Sequence, residues 1–236
     1  LEQIQKLEKG LFDQIFLDSF FVNREFDTLS TIILNSPVEI ALYANVGCLS
    51  HCPAVKAHYK SFVGKQPNDM MRIHFGFFNG CSLVKLRNPV EWIQMQWIRP
   101  EDISTYAQEG FSYFKLTDRL APTETILFIA EHYMRKHSPG DLYHLMEREG
   151  IKFREISAVR KTVKNPLKID SNMIPDDFIE HFRNGGCNSR NLACGYCNEI
   201  AEKAVSINPL FQNTILSPEQ NDAIPTSLKK RTKLSG

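Results

Sequence analysis

The sequence has no long apolar run, no excess of charge of one sign and no internal repeat. None of its apolar stretches approaches the roughly 18 residues that would cross a bilayer, so we expect no membrane-spanning helix. The 28 basic and 27 acidic residues leave a formal net charge of +1, which gives no indication of a nucleic-acid partner. Together with a hydrophobic content of 42%, these features exclude a collagen-like chain and a mostly disordered one.

The length of 236 residues is enough to bury a sizeable core, most simply as one domain with a tail. The chain begins with Leu1 rather than methionine, and we expect it to be the ordered part of something longer. Its first residues do not have the pattern of a signal peptide, so we expect a cytoplasmic location.

Short apolar stretches alternate with amphipathic ones over the first 150 residues. Five stretches rich in branched and aromatic residues predict strands at Phe12–Leu17, Val38–Ala44, Met71–Phe78, Gln96–Arg99 and Phe111–Leu116. Apolar residues at helical spacing predict helices at Phe26–Leu34, Ala54–Val63 and Thr123–Lys136. A further helix is predicted after Pro100, with Glu101 and Asp102 in its first turn, where the helix dipole favours acidic residues.

Alternating strands and helices are typical of a parallel α/β sheet with right-handed crossovers. A complete eightfold barrel takes about 250 residues, and only about four strand–helix units precede Gly150. We therefore predict an α/β fold in which residues 1–150 form a partial TIM-like (β/α) barrel. Half a barrel leaves two sheet edges unpaired, so we expect another polypeptide segment or subunit to complete it.

The character of the sequence changes from Ile151 onward. Lys152–Lys168 is basic with interspersed apolar residues and predicts a strand or an arm that leaves the sheet. Helices are predicted at Asp176–Arg183 and Asn198–Val205, on either side of a cysteine-rich stretch. We therefore predict a Cys-rich C-terminal extension over residues 151–216, followed by a polar, basic and flexible tail over residues 217–236.

Two cysteines lie four residues apart directly after the second predicted strand. Cys48 and Cys52 occur in the sequence GCLSHCP. Because the loops at strand carboxyl ends form the functional face of a parallel sheet, these sulfurs can face one centre, and a following helix N-terminus favours the thiolate. Cys81 follows the next apolar run and is expected to converge on the same face. The alternative is that Cys81 is a small buried apolar residue.

A denser cysteine group lies near the C-terminus. Cys194 and Cys197 form the sequence CGYC, and Cys187 precedes them by seven residues, a spacing typical of metal ligands. The glycines let the loop wrap so that backbone N–H groups face the sulfurs, as iron–sulfur clusters prefer. A thiolate-rich set suits an iron–sulfur cluster or tetrahedral zinc. Weaker candidate ligands are His51, His58 and His181.

Two other interpretations of the six cysteines are less favoured. A disulfide framework is compatible with an even number, but a domain of this size does not need one. A thioredoxin-like redox pair at CGYC is disfavoured because no thioredoxin-like strand order surrounds it.

Four blocks of the sequence carry a family resemblance. The blocks are LDSFFVNREFD at Leu17–Asp27, YANVGCLSHCPAVKAHY at Tyr43–Tyr59, WIRPEDISTY at Trp97–Tyr106 and GFSYFKLTDR at Gly110–Arg119. In order and spacing they resemble the peptidase U32 family, whose members are also called collagenase-like proteases. The match covers most of residues 11–146, and the stretch Cys187–Val205 is similar to the C-terminal element of some members.

The resemblance implies a TIM-barrel-like domain. Several members are similar to oxygen-independent hydroxylases that hold a [4Fe-4S] cluster on cysteines and act in quinone biosynthesis or on RNA. The ligands that the resemblance implies here are Cys48, Cys52 and Cys81, with a fourth from Cys187, Cys194 or Cys197. The cysteine spacing differs from that of the quinone- and RNA-modifying members, so the resemblance does not identify the substrate. The chain has no Ser-His-Asp or zincin signature that would support the peptidase label.

Charged residues in or just after the last two predicted strands of the barrel are candidates for substrate binding or catalysis. These residues are Arg99, Glu101, Lys115 and Arg119. At strand carboxyl ends they would bind an anionic substrate or place a proton donor, and we predict catalytic roles for Arg119, Lys115 and Glu101. The structural alternative is ordinary salt bridges for Arg99 and Glu101, with Lys115 laid along the surface.

Three functions from different classes follow. The leading hypothesis is an iron–sulfur enzyme or enzyme subunit of the U32 type that modifies, for example hydroxylates, a peptide, a nucleic acid or a small aromatic compound. The second is a non-catalytic, zinc-stabilised binding subunit that pairs with another half-barrel. The third is a metal-dependent peptidase, which needs an open metal position that all-thiolate ligation does not leave.

Overall fold

The computed structural model describes residues 4, 10–18, 22–61, 77, 80–117, 121–146, 167–187 and 194–209. The chain divides into two compact units that are discontinuous in sequence. The first comprises Leu1–Gly47, Gln96–Glu147 and Asp170–Tyr196, and the second comprises Cys48–Met95, Arg148–Ile169 and Cys197–Gly236. The domain boundary predicted at residue 150 and the predicted tail at 217–236 lie outside the described residues.

The described elements are eight helices, five short strands and two 3₁₀ turns. The strands are β1 (Gln14–Phe16), β2 (Glu39–Tyr43), β3 (Tyr113–Lys115), β4 (Leu167–Ile169) and β5 (Val205–Ile207). The helices are α1 (Phe26–Asn35), α2 (Val55–Ser61), α3 (80–87), α4 (Val90–Gln94), α5 (Ile103–Gln108), α6 (Thr123–Arg135), α7 (Phe178–Arg183) and α8 (Tyr196–Ala204). The 3₁₀ turns are Leu142–His144 and Ser171–Met173.

A parallel three-stranded sheet forms the centre of the first unit. Its order is β1–β2–β3, with Ile15 beside Ile40 and Leu42 beside Phe114. The connection from β1 to β2 contains α1, as a βαβ crossover requires. The strands predicted around β1, β2 and β3 and the helices predicted around α1, α2, α5, α6, α7 and α8 are confirmed as elements.

Helices cover one face of this sheet. The apolar residues of α1 recur every three positions, so that Phe26, Leu29 and Ile32 are buried together. The ring of Tyr106 on α5 lies 5.2 Å from that of Phe26 and 6.3 Å from that of Phe114 on β3. The face of β3 that presents Phe114 therefore packs against the helices.

The strand predicted at Gln96–Arg99 is not formed, and that prediction was wrong. The segment is buried but makes no ladder, because side chains take up its backbone groups. Asn23 Nδ2 donates to the Gln96 carbonyl at 2.7 Å, and the Arg24 guanidinium donates to the Trp97 carbonyl at 3.4 Å. Ile98 N–H donates to Ala44 O just beyond β2 at 2.8 Å.

Two further predicted strands lie mostly outside the described part of the chain. Within Met71–Phe78 only Phe77 is described, and it is helical, so the predicted strand is wrong at that position. Within Lys152–Lys168 only Leu167 and Lys168 are described, and both belong to β4. In the described ranges the parallel strands number three and do not close, so the partial barrel stays a prediction.

The second unit contains a separate antiparallel strand pair. Its strands β4 and β5 pair Leu167 with Ile207 and Ile169 with Val205. Leu83, Val84 and Leu86 of α3 are fully buried, and Trp92 and Ile93 of α4 are at most 1% exposed. Within the described ranges, none of the helices has the length and apolar character that crossing a membrane demands.

Candidate functional site

Three of the six cysteines come together in the second unit. Cys48 and Cys52 lie in the loop between β2 and α2, and Cys81 lies on α3. The Cys81 thiol is hydrogen-bonded to Cys52, and Cys48 is near enough to interact with it electrostatically. The structure thus brings together the three sulfurs that the sequence singled out, although their role as metal ligands stays a prediction.

The environment of Cys81 favours the protonated thiol. The hydrogen bond with Cys52 raises the pKa of Cys81 most, and burial raises it further. The Lys85 ammonium, one turn along α3, has the opposite effect on this pKa. Lys85 is itself buried, with its Nζ 4.9 Å from the centroid of the Trp92 ring. In the metal-free chain this thiol therefore stays protonated at neutral pH.

The loop between Cys48 and Cys52 contains a serine–histidine contact. Ser50 Oγ lies 2.8 Å from His51 Nδ1, and His51 adopts a left-handed backbone conformation with φ of 49°. His58, a weaker candidate ligand, lies on α2 with its ring 5.3 Å from that of Phe77. Among the described residues, no group of three or more His, Cys, Asp or Glu side chains is arranged to hold a metal ion.

The C-terminal cysteines lie at the ends of the segment between α7 and α8. Cys187 follows α7 and is half-buried, and Cys194 is half-buried two residues before α8 begins. Cys197 is buried in the first turn of α8. Residues 188–193 lie outside the described residues, so the ligand role predicted for these three cysteines stays a prediction.

His181 anchors both ends of that segment within the first unit. Its ring is stacked on the ring of Tyr196, with centroids 3.7 Å apart and planes inclined by 15°. On the other end, Gly186 N–H donates to the His181 carbonyl at 2.8 Å. His181 Nε2 is buried and makes no hydrogen bond to another described residue. Its weaker candidacy as a ligand stays a prediction.

Gly186→Ala is expected to destabilise the protein by about 1–3 kcal/mol, because an added methyl group forces its neighbours apart. A Cβ at residue 186 would lie 2.7 Å from the His181 ring and from the His181 carbonyl oxygen. Urea unfolding measures the cost, and Gly140→Ala is the matched control because a Cβ there meets nothing within 4 Å. Equal costs for the two variants would contradict the close approach at His181.

The charged residues predicted to act in catalysis have structural partners. Glu101 accepts hydrogen bonds from the backbone N–H of Ser138 and from Ser138 Oγ at 2.6 Å, and His137 Nδ1 lies 3.7 Å away. Arg99 pairs with Asp102 rather than with Glu101. Arg99 and Glu101 thus have the partners that the structural alternative describes, and the catalytic role of Glu101 stays a prediction. Arg119 lies outside the described residues.

Lys115 lies against aromatic rings at the end of β3. Its Nζ is 4.8 Å from the centroid of the Phe16 ring and 5.1 Å from that of the Tyr43 ring. The side chain is exposed and lies on the sheet surface, and its catalytic role stays a prediction. Its proposed part in binding an anion is compatible with this position.

Two buried asparagines beyond the carboxyl ends of β1 and β2 escaped the sequence analysis. Asn45 Oδ1 accepts from Thr117 N–H at 2.6 Å and Thr117 Oγ1 at 3.0 Å, and Asn45 Nδ2 donates to Leu145 O at 3.1 Å. Asn23 Nδ2 donates to Tyr43 O at 2.7 Å. Each satisfies backbone groups that the sheet leaves open. The signal available for Asn45 was an amide two residues after a buried strand.

Comparison with known proteins gives a partial match. No family model matches the chain, and no solved structure matches it. It is 26% identical over 211 residues to an uncharacterized protease of Methanocaldococcus jannaschii. The alignment covers 86% of this chain and 58% of that protein, so the chain spans little more than half the length of this curated relative. The chain is therefore similar to a protein that is named a protease, which is consistent with a protease-like family.

Proposed function

We propose that this chain is an iron–sulfur-binding protein of the U32 type and part of an enzyme that modifies a peptide, a nucleic acid or a small aromatic compound. The observation that carries the proposal is the contact between the thiols of Cys81 and Cys52, with Cys48 beside them. The similarity to a relative named as a protease supports the coarser relationship to a protease-like family.

The chemistry of these donors fits a cluster or zinc. Thiolate sulfur is the preferred ligand of iron–sulfur clusters and of structural zinc. Cys81 is hydrogen-bonded to Cys52, and the cysteines do not form a ligand set within the described part of the chain. Binding therefore requires Cys48, Cys52 and Cys81 to release their protons and Cys81 to part from Cys52. Lys85 favours this step because its ammonium stabilises a thiolate at Cys81.

The number of protein sulfurs decides what the site can do. A [4Fe-4S] cluster on three sulfurs would supply an iron open to a substrate, whereas a cluster on four would supply electron transfer or structural support. Cys48, Cys52 and Cys81 hold the site in this proposal, and Lys85 compensates part of their charge. Because Lys85 is buried beside Trp92, its ammonium is shielded from water and acts more strongly on nearby sulfur.

Anaerobic purification of the full chain, with iron, sulfide and zinc assays and a visible spectrum, tests the proposal. We expect about four irons per chain and broad visible absorption. Cys81→Ser and Cys48→Ser are expected to retain less than about one iron, because each removes a ligand. Circular dichroism verifies that the variants are folded.

A double variant, Cys194→Ala with Cys197→Ala, assigns the ligands. Iron retained in the double variant and lost in Cys81→Ser supports ligation by the three cysteines of the second unit. Iron retained in Cys81→Ser and lost in the double variant contradicts it and moves the ligands to the C-terminal group. Zinc without iron contradicts the cluster and favours the zinc-stabilised binding subunit.

A peptidase is the second candidate, favoured by the name of the relative and by the contact between Ser50 and His51. A serine hydroxyl within hydrogen-bond reach of an imidazole is the arrangement of an activated nucleophile. Peptide hydrolysis by the purified chain that is lost in Ser50→Ala and His51→Asn but kept in Cys81→Ser would favour this candidate. Hydrolysis that is absent, or that is unchanged in Ser50→Ala, would contradict it.

A further inference from the structure

The final residues of β1, β2 and β3 place two aromatic rings and one ammonium on the same face of the sheet. These residues are Phe16, Tyr43 and Lys115. In the parallel register Tyr43 lies beside Lys115, and Phe16 lies beside Ala41, two residues before Tyr43. Because side chains alternate between faces along a strand, all three point to one side. We call them the strand-end cluster.

The strand-end cluster is compact. The rings of Phe16 and Tyr43 have centroids 5.5 Å apart with planes tilted by 48°. Lys115 Nζ lies 4.8 Å from the first centroid and 5.1 Å from the second. These are the distances of cation–π contact, so the ammonium is held over the rings rather than ranging freely in solvent.

The cluster lies on the face of the sheet that α5 does not cover. Phe114 precedes Lys115 and therefore points to the opposite side, where its ring meets the ring of Tyr106. Phe16 is 44% exposed and Lys115 is exposed. Two rings and a cation are thus accessible at the edge where the three parallel strands end.

Lys115 has no acidic partner within the described part of the chain. The ion pairs recorded there join other residues, and no carboxylate of a described residue lies within 4.0 Å of Lys115 Nζ. The rings attract the ammonium but accept none of its three N–H donors in the ordinary sense. An anion that approaches the cluster therefore finds a positioned donor.

We propose that the strand-end cluster binds a planar aromatic ring that carries an anionic group. The ring stacks on Phe16 and Tyr43, and the anion accepts hydrogen bonds from Lys115 Nζ. The carboxyl ends of parallel strands are where open α/β sheets bind their ligands. Aryl carboxylates and nucleoside monophosphates share this chemistry. None of the three residues of the cluster is a proposed metal ligand, so the inference does not rest on the proposed function.

Ligand-observed NMR titrations on the full chain test the inference with four probes. Benzoate and uridine 5′-monophosphate each carry both a ring and an anionic group. Comparing them distinguishes an aryl carboxylate from a nucleoside monophosphate as the ligand. Benzyl alcohol has the ring without charge, and cyclohexanecarboxylate has the charge without an aromatic ring. We expect at least one of the first two to bind about fivefold or more tightly than both of the others, because ring stacking and the charged hydrogen bond act together.

Variants of the cluster locate the binding. Lys115→Met is expected to weaken binding of the preferred anionic probe about tenfold, and Phe16→Leu about fivefold. Lys203→Met is the matched control, since it removes an exposed lysine from α8, and should change the affinity less than twofold. The exposed positions of the substituted side chains leave the melting temperature nearly unchanged, which the same samples verify.

Failure of both anionic probes to bind overturns the inference, and so does binding that Lys115→Met leaves unchanged. Preference for benzoate identifies an aryl carboxylate as the ligand class, whereas preference for uridine 5′-monophosphate identifies a nucleotide. The role of the rings is overturned if neither benzoate nor uridine 5′-monophosphate binds more tightly than cyclohexanecarboxylate.

Discussion

Arg99→Met is expected to lower the free energy of unfolding by about 3–5 kcal/mol, because it leaves a buried carboxylate without its cation. The side chains of Arg99 and Asp102 are 4% and 3% exposed, and two hydrogen bonds of 2.9 and 2.8 Å join them. The guanidinium also donates to the carbonyls of Pro175 and Asp176 at 3.0 and 3.2 Å. One side chain thus ties the start of α5 to the segment before α7.

Urea unfolding of Arg99→Met and of a matched surface variant measures this cost. Arg135→Met breaks the pair that Arg135 forms with Glu131 on α6, where the side chains are 71% and 52% exposed. That change is expected to cost less than about 0.5 kcal/mol. Arg99→Met combined with Asp102→Leu should recover much of the loss, because no unpaired charge remains buried. Similar losses of unfolding free energy in Arg99→Met and Arg135→Met would contradict the stabilising role of the buried Arg99–Asp102 pair.

The cost of Arg99→Met is expected to depend on pH. Burial raises the pKa of Asp102 above its ordinary value, and Arg99 opposes this rise. An acid whose folded pKa exceeds its unfolded pKa contributes stability at low pH and loses it as pH rises through the interval between the two values. Removing Arg99 raises the folded pKa of Asp102 further and widens this interval. The variant should therefore be closer in stability to the wild type at about pH 4 than at about pH 7.

The sequence predicts the elements of the first sheet because they follow from local pattern. A short run of consecutive apolar residues marks β2, and apolar residues three apart mark α1. The helix after Pro100 is also predicted, from the acidic residues Glu101 and Asp102 at its start, but this reason holds only in part. Asp102 stands at its N-terminus, yet its carboxylate makes no capping hydrogen bond and pairs with Arg99 instead.

Elements that depend on distant partners could not be predicted in this way. Gln96–Arg99 has the composition of a strand, but its backbone bonds go to side chains of Asn23 and Arg24, which no local pattern reveals. The strands β4 and β5 are three residues long and pair across a wide separation in sequence. The strand or arm predicted at Lys152–Lys168 reaches into β4, but no local pattern shows that β4 pairs with β5.

The cysteines show what residue spacing in the sequence can and cannot predict about the site. The separation of Cys48 and Cys52 marks them as a pair, whereas the position of Cys81 beside Cys52 depends on how the intervening chain folds. Lys85 could not be recognised, because a lysine four residues after a cysteine is ordinary on an exposed helix. Only its burial beside Trp92 gives it an electrostatic role.

Tyr106→Ala is expected to lower the free energy of unfolding by about 3–5 kcal/mol, because it opens a cavity among aromatic rings. Tyr106 is fully buried. Its ring centroid lies 5.2, 6.4 and 6.3 Å, respectively, from those of Phe26, Phe111 and Phe114. Its hydroxyl donates to the Asn23 carbonyl beyond the end of β1. Burial raises the pKa of Tyr106 well above its ordinary value, so the hydroxyl remains a neutral donor.

Tyr106→Phe separates the ring from the hydroxyl in the same unfolding measurement. It keeps the packing and should cost about 1 kcal/mol, the net contribution of one hydrogen bond plus an unsatisfied carbonyl at Asn23. Tyr113→Ala is the surface control, since Tyr113 is 46% exposed on β3, and should cost less than about 1 kcal/mol. A Phe variant as unstable as the Ala variant would assign the stability to the hydroxyl rather than to the rings. If Tyr106→Ala costs more free energy of unfolding than Tyr106→Phe, as expected, aromatic packing against Phe114 is the main connection between α5 and the sheet. The strands of this sheet end in Phe16, Tyr43 and Lys115.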